Sequence, residues 1–228
     1  MAEQVSLGNS VPPQKIMRAL LQQAPPVIPV LVINSLDTVI PMAEALVRGG
    51  LNVLEVTLRS TIAWEAIELI QHHVPSALVG AGTVIHPNQL QQLVQHKVAF
   101  AVSPGITDEL MTAANESHMP LLPGIANASQ IMMGLEQGFN CFKFFPAAAS
   151  GGVNALKSFY GPFDEVAFCP TGGISTQNCV SYLELPNVLC VGGSWVVPEY
   201  LVESANWGQI ESLAADAASI HIKKASQF

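Results

Sequence analysis

The chain has 228 residues, half of them apolar and 11% charged, and its formal net charge is −8. This length allows one large domain or two small ones, and the acidic balance argues against a nucleic-acid surface. The first residues lack a signal-peptide pattern, no apolar run reaches membrane-spanning length, and the four cysteines form no C-x-x-C pair. These features predict a cytoplasmic protein with free thiols.

Short β-rich runs alternate with helical patterns along the chain. The runs are 27–33, 53–58, 77–84, 99–104, 120–125, 141–147, 166–173 and 188–194. The intervening segments carry helix start or stop signals at Asp37, Gly49, Thr107, Asn127, Gly138 and Ser175. Eight strand–helix units predict an α/β fold, a single-domain (β/α)8 TIM barrel over residues 15–228, rather than an open doubly wound sheet. Residues 1–14 form an N-terminal extension, whose order the composition does not decide.

The second predicted strand, VLEVTLR (53–59), separates apolar from polar side chains by simple alternation. Its even-numbered residues are all apolar and suit contact with the helix layer. The opposite face, which we expect to line the barrel interior, carries Glu55, Thr57 and Arg59. Arg59 lies nearest the carboxyl end of the strand, where barrel enzymes place their chemistry, and a guanidinium suits a carboxylate ligand.

The sixth predicted strand, CFKFFPA (141–147), contains a lysine between phenylalanines. Alternation turns the even-numbered phenylalanines toward the helices and places Lys143 in the interior with Cys141 and Phe145. Lys143 and Glu55 should therefore approach each other across the barrel. A structural ion pair would also explain them, but buried pairs stabilise weakly, so the pattern favours a functional site.

A lysine in an apolar strand has chemistry beyond ion pairing. An ordinary lysine, with a pKa near 10.4, is almost entirely protonated at neutral pH and is a poor nucleophile. Apolar surroundings destabilise an ammonium and increase the neutral fraction. The neutral amine can then attack a ketone and form a Schiff base.

The seventh and eighth predicted strands both end in paired glycines, in PTGGIST (170–176) and VGGSWVVPEY (191–200). Glycine lets a backbone approach an anion closely, and barrels often bind phosphate at these two loops, beside a short extra helix. Thr171 and Ser194 add hydroxyl groups to the predicted phosphate site. Tight turns alone would also explain the glycines.

Two other patterns in the sequence do not predict a cofactor site. The segment GAGTV (80–84) lacks the third glycine of a dinucleotide-binding turn, and the six histidines have no zinc-type spacing. We therefore expect neither a metal nor an organic cofactor.

The ordered motifs EVTLR, GAGTV, SPG, LPG, KFFPA, PTGGI and GGSW resemble those of the 2-keto-3-deoxy-6-phosphogluconate (KDPG) aldolase family, which includes 4-hydroxy-2-oxoglutarate (KHG) aldolases. The resemblance runs from about Lys15 to Ile222. It implies a homotrimeric class I aldolase that cleaves 2-dehydro-3-deoxy-6-phospho-D-gluconate to pyruvate and D-glyceraldehyde 3-phosphate. It also implies that Lys143 is the Schiff-base lysine and Glu55 the general acid and base.

The same resemblance implies three groups of substrate-binding residues. Arg59 and Thr83 would hold the substrate carboxylate, and Pro104 and Phe145 would form the wall around the pyruvyl group. The phosphorylated end would be held by Thr171, Gly172, Gly173, Gly193 and Ser194.

Three alternatives remain open at the level of sequence. A KHG aldolase would use the same lysine on a substrate that ends in a carboxylate. A noncatalytic sugar-phosphate-binding barrel would keep the glycines but has no need of Glu55 and Lys143 together. A barrel isomerase or epimerase would not need a lysine in an apolar strand.

Overall fold

The computed structural model describes residues 11–220, which form nine strands, ten α-helices and a 3-10 turn at Leu36–Thr38. The strands are β1 Val27–Leu31, β2 Val53–Thr57, β3 Leu78–Gly82, β4 Phe100–Val102, β5 Leu121–Leu122, β6 Gly124–Ile125, β7 Cys141–Phe144, β8 Ala167–Pro170 and β9 Val191–Gly193. The helices are α1 Pro13–Gln23, α2 Val39–Arg48, α3 Ala63–His73, α4 Pro87–Gln95, α5 Asp108–Glu116, α6 Ala128–Glu136, α7 Gly152–Tyr160, α8 Cys179–Leu183, α9 Glu199–Glu203 and α10 Trp207–Ala218.

All strand pairings in the two sheets are parallel, as the alternation of strands and helices predicts. One sheet has the order β5-β4-β3-β2-β1-β9 and the other the order β6-β7-β8. The fifth predicted strand is divided into β5 and β6 at Pro123, which has no N–H to donate to a neighbouring strand. Single parallel bridges, Phe168 with Val188 and Thr171 with Gly192, join the β8 side to the β9 side. The fold is therefore α/β, with curled parallel sheets and covering helices.

The apolar residues form two clusters that correspond to the two faces of the strands. The larger cluster includes Leu54 and Phe142 together with residues from the helices, so it lies between the sheets and the helix layer. The smaller cluster includes Val53 and Cys141, the neighbours of those residues along the same strands. The period-two alternation predicted for β2 and β7 is confirmed.

Helix α1 covers the amino ends of the strands. Its buried residues Met17 and Leu21 belong to the smaller, interior cluster, and Arg18 Nη1 donates a hydrogen bond to the carbonyl of Glu165 at 2.9 Å. The helix begins at Pro13, inside the predicted extension 1–14, of which residues 1–10 lie outside the described part of the chain. No helix within residues 11–220 has the length and apolar character needed to cross a bilayer.

The predicted helix ends are only partly confirmed. Thr107 and Asn127 cap α5 and α6, each accepting a hydrogen bond from the backbone three residues on, and Gly49 follows α2. The start predicted at Ser175 is wrong, because α8 begins only at Cys179. The start predicted at Asp37 is also wrong, because that residue lies in the 3-10 turn before α2.

Candidate active site

Glu55 and Lys143 meet in the interior, as the alternation of β2 and β7 predicts. Lys143 Nζ donates a hydrogen bond to Glu55 Oε1 at 3.1 Å. Both residues are buried, with 4% of Glu55 and 6% of Lys143 exposed. The two strands belong to different sheets, so the pair joins elements that are distant in the sequence. A carboxylate and an amine are thereby held within proton-transfer reach, sheltered from bulk water.

Glycines on the neighbouring strand make room for the Glu55 carboxylate. Gly80 is the register partner of Glu55 on β3, and Gly82 lies one pleat further on. A Cβ atom placed at Gly82 would lie only 2.2 Å from Glu55 Oε1, closer than any ordinary contact. The GAGTV motif therefore provides the space in which Glu55 turns toward Lys143. Nothing in the local sequence indicates this role, because it depends on the pairing of β3 with β2.

Lys143 is bordered by apolar and polarisable groups as well as by Glu55. Its Nζ lies 5.3 Å from the centroid of the half-buried Phe145 ring, within the range of a cation–π interaction. Cys169 is its register partner on β8, and Gly124 is its register partner on β6. The side chain of Lys143 is thus confined by an aromatic ring on one side and small residues on the others.

The residues expected to hold the substrate carboxylate lie just beyond strands β2 and β3. Arg59 is exposed in the turn after β2, and within residues 11–220 no hydrogen bond or ion pair occupies its guanidinium, in contrast to Arg18 and Arg48. Thr83 follows Gly82 and has a φ of 60°, a left-handed conformation that is strained for a β-branched residue. Such strain is typical of functional sites, and a free guanidinium is able to bind a carboxylate with two hydrogen bonds.

The loop after β8 contacts the end of β7. A Cβ atom at Gly172 would lie 3.3 Å from the Phe145 ring, so the glycine backbone packs against that ring. Gly172 and Gly173 have φ values of 94° and 75°, which favour glycine strongly. Thr171 is buried and pairs with Gly192 in a parallel bridge. The structure thereby brings Phe145, Thr171 and Gly172 together.

The loop after β9 forms the remaining side of the predicted phosphate site. Gly193 is buried, and the Trp195 ring packs so closely on it that a Cβ atom would lie 1.8 Å from a ring carbon. Ser194 is exposed, and the short helix α9 follows, as the segment PEYLVES predicts. The exposed hydroxyl and the glycine backbone lie next to the bridge between Thr171 and Gly192.

Three buried thiols share the interior with the pair of charged residues, and Cys141 lies one pleat repeat before Lys143 on β7. Burial raises the pKa of the Cys141 thiol to about 12, against the smaller opposing effect of Arg18. The hydrogen bond with Cys169 and, as the second-largest cause, burial raise the pKa of the Cys190 thiol well above its usual value. These two thiols are therefore neutral at physiological pH. Within residues 11–220, no group of three or more His, Cys, Asp or Glu side chains is arranged to hold a metal ion.

Comparison with known proteins defines the family. A family model for KDPG and KHG aldolases matches residues 17–213. The chain is 53% identical over 196 residues to a 2-dehydro-3-deoxy-phosphogluconate aldolase of Dickeya dadantii, covering 86% of this chain and 92% of the relative. It is 51% identical over 192 residues to the KHG/KDPG aldolase of Escherichia coli K12, covering 84% of this chain and 90% of the relative.

A solved structure is similar over nearly the whole fold. The KDPG aldolase of Legionella pneumophila, captured with pyruvate as a covalent carbinolamine intermediate, superposes with a TM-score of 0.86 at 49% identity. The match covers 92% of this chain and 99% of that one. The chain belongs to the KDPG and KHG aldolase family.

Proposed function

We propose that this protein is a class I aldolase that cleaves 2-dehydro-3-deoxy-6-phospho-D-gluconate to pyruvate and D-glyceraldehyde 3-phosphate. The buried contact of 3.1 Å between Lys143 Nζ and Glu55 Oε1 carries the proposal, because it joins a nucleophile to a proton acceptor in one buried site. Membership of the family supports it, as does the carbinolamine captured in the similar Legionella enzyme.

The reaction begins at Lys143. Its neutral amine attacks the C2 ketone of the substrate to give a carbinolamine, and protonated Glu55 donates a proton to the carbinolamine hydroxyl, which leaves as water and forms an iminium ion. Glu55, directly or through a water molecule, removes the C4 hydroxyl proton while the C3–C4 bond breaks. The bonding electrons pass to the iminium nitrogen, so glyceraldehyde 3-phosphate leaves and an enamine of pyruvate remains on Lys143.

The second half of the reaction restores the enzyme. Protonation of the enamine at C3 regenerates an iminium ion, with protonated Glu55 as the proton donor. Addition of water to that iminium ion and expulsion of the amine release pyruvate.

The two ends of the substrate would be held by different loops. Arg59 and Thr83 bind the carboxylate, and Pro104 and Phe145 border the pyruvyl group. The phosphate lies against the loops after β8 and β9, where backbone N–H groups and hydroxyls are available. The residues of these loops are Thr171, Gly172, Gly173, Gly193 and Ser194. The left-handed glycines of the first loop support this assignment.

A second substrate is 4-hydroxy-2-oxoglutarate, cleaved to pyruvate and glyoxylate. The Escherichia coli relative is named for both substrates, which supports this candidate. The same Lys143 and Glu55 would perform the cleavage, while the distal end of the substrate carries a carboxylate. The ratio of kcat/KM for the two substrates distinguishes them, and we expect the phosphorylated one to be preferred.

We further propose that the two sheets close into one eight-stranded (β/α)8 barrel within a single domain, since β5 and β6 are interrupted only by Pro123 and bridges join β8 to β9. The resemblance to the family implies a homotrimer, which light scattering would test by a mass three times that of the chain. The free cysteines support a cytoplasmic location, which fractionation of the source cells would test.

Reductive trapping tests the proposed function. The protein is incubated with pyruvate and borohydride, and the intact mass and the peptides are analysed by mass spectrometry. We expect a reduced pyruvyl adduct confined to Lys143, with none on exposed Lys157, which serves as an internal control. A folded protein without this adduct, alongside a known imine-forming aldolase that gives one, would overturn the aldolase mechanism in favour of sugar-phosphate binding alone.

A further inference from the structure

Ser103 lies immediately after β4 and is almost fully buried, with 1% of its surface exposed. Its hydroxyl donates a hydrogen bond to the carbonyl of Gly105 at 2.6 Å and accepts one from the N–H of Gly124 at 3.3 Å. The hydroxyl therefore both donates a hydrogen bond to the backbone and accepts one from it. Ser103 connects the turn after β4 to the first residue of β6.

These two hydrogen bonds replace the regular ladder where β4 ends. The last regular bond runs from Ser103 N to the carbonyl of Leu122 at 3.1 Å. The next amide, that of Gly124, bonds instead to the Ser103 hydroxyl and to the carbonyl of Gly105, each at 3.3 Å. The Ser103 side chain thus fixes a segment that the sheet itself no longer holds.

The segment held in this way borders Lys143. Gly124 is the register partner of Lys143, so a side chain at position 124 would point into the same interior space. A Cβ atom at Gly124 would lie 2.3 Å from the carbonyl carbon of Pro104 and 2.7 Å from Gly105 N. The peptide between Pro104 and Gly105 therefore occupies the interior position beside the lysine.

We propose that Ser103 is a positioning residue that holds the Pro104–Gly105 turn against Gly124 and so fixes the position of the wall of the pyruvyl pocket. The proposal rests on the proposed function, in which Pro104 forms that wall. Ser103 itself does not touch the substrate. The phosphate loops after β8 and β9 are separate elements, so a change at Ser103 should affect one end of the substrate and leave the other unchanged.

The test compares Ser103→Ala with Ser117→Ala. Ser117 follows α5, and its hydroxyl also donates to a backbone carbonyl at 2.6 Å, that of Ala113. The concentration of pyruvate that gives half-maximal borohydride trapping reports on the pyruvyl end of the site. The KM for glyceraldehyde 3-phosphate in the reverse condensation, at saturating pyruvate, reports on the phosphorylated end.

We expect Ser103→Ala to raise the half-saturating pyruvate concentration about tenfold, because a small displacement of the wall weakens positioning beside Lys143. The KM for glyceraldehyde 3-phosphate should stay within about twofold of the wild-type value, and Ser117→Ala should change neither quantity. Equal changes at both ends, or no change in a folded variant, would overturn the proposal.

A second variant covers the case in which Ser103→Ala does not fold. Ser103→Cys keeps a side chain of similar size but only a weak hydrogen-bond donor, so the same selective loss of pyruvate binding is expected. Wild-type affinity for pyruvate in this variant would overturn the role of the hydroxyl. If the wild-type protein itself gave no pyruvyl adduct, the proposed function would fail and this inference with it.

Discussion

The amino and carboxyl ends of the parallel strands differ sharply in chemistry. Toward the carboxyl ends of the strands lies the buried pair of Glu55 and Lys143, beside glycines that leave room for it. Toward the amino ends lies an apolar floor that includes Leu21 of α1 and Cys141. Cys141 and Lys143 are only two residues apart on β7. One pleat repeat therefore separates Cys141, which packs in the apolar floor, from Lys143, the proposed nucleophile.

Lys143→Met should have the largest effect, because it removes the proposed nucleophile. We expect kcat/KM for the cleavage to fall by roughly 10⁴-fold or more, and the borohydride adduct to disappear. The variant also leaves the Glu55 carboxylate buried without its partner, which should lower the free energy of unfolding by about 3–5 kcal/mol. A lyase assay and urea unfolding measure the two effects.

Lys157→Met is the matched control for that experiment. Lys157 is exposed on α7, so the same loss of charge and the same apolar replacement should change neither activity nor stability appreciably. Activity of Lys143→Met within tenfold of the wild-type value would contradict the assignment of Lys143.

Gly82→Ala tests whether the glycines at the chemical end serve Glu55. The added methyl group would lie 2.2 Å from Glu55 Oε1, so the carboxylate must move away from its position beside Lys143. We expect kcat/KM to fall by about 10²-fold, the effect typical of a displacement of about 1 Å in a catalytic group. The measurement is the steady-state lyase assay.

Gly208→Ala provides the comparison. Gly208 lies on α10, and apart from its own helix no group within residues 11–220 lies within 4 Å of a Cβ atom placed there, so this variant should retain full activity. Equal activities of the two alanine variants would show that Glu55 tolerates the methyl group, and that the space at Gly82 has no catalytic role.

Leu21→Ala addresses the opposite end. Leu21 is fully buried in the interior cluster, so its truncation should lower the free energy of unfolding by about 2–5 kcal/mol. Activity at 25 °C should stay within about twofold, because the floor lies away from the reacting groups. Urea unfolding and the lyase assay on one preparation separate the two quantities.

Ile16→Ala is the control on the same helix, since Ile16 is 43% exposed and its truncation should cost much less. The contrast between the two ends would disappear if Leu21→Ala lost activity in proportion to its stability.

The approach of Glu55 and Lys143 was predictable because side-chain alternation along a strand is a local property of the backbone. The period-two alternation in two short sequences was enough to predict that both side chains point into the interior. The left-handed backbone of the loop after β8 was predictable from the residue type, since Gly172 and Gly173 are the residues that adopt a positive φ without strain.

The features that the sequence did not reveal depend on tertiary contacts. Nothing in the sequence SPG indicates that the Ser103 hydroxyl would bond to Gly124, which is distant along the chain. The position of α1 beneath the strands was also not predictable, because its pattern of apolar residues is that of any amphipathic helix and does not say which surface the helix covers. The left-handed φ of Thr83 contradicts local preference, and such strain persists only where the surrounding structure imposes it.

Alkylation with iodoacetamide should show the smallest effect, at the floor. Since burial raises the pKa of Cys141 to about 12, its thiolate fraction at pH 9 is only about 0.1%, whereas an ordinary thiol with a pKa near 8.5 is mostly ionised there. Raising the pH from 7 to 9 should therefore leave Cys141 unlabelled in the native protein, while urea should expose it to complete labelling. Peptide mass spectrometry measures both. Native labelling that increases between pH 8 and 9 would mean that water reaches Cys141. The amino and carboxyl ends of the strands would then differ less in their exposure to water than their side chains indicate.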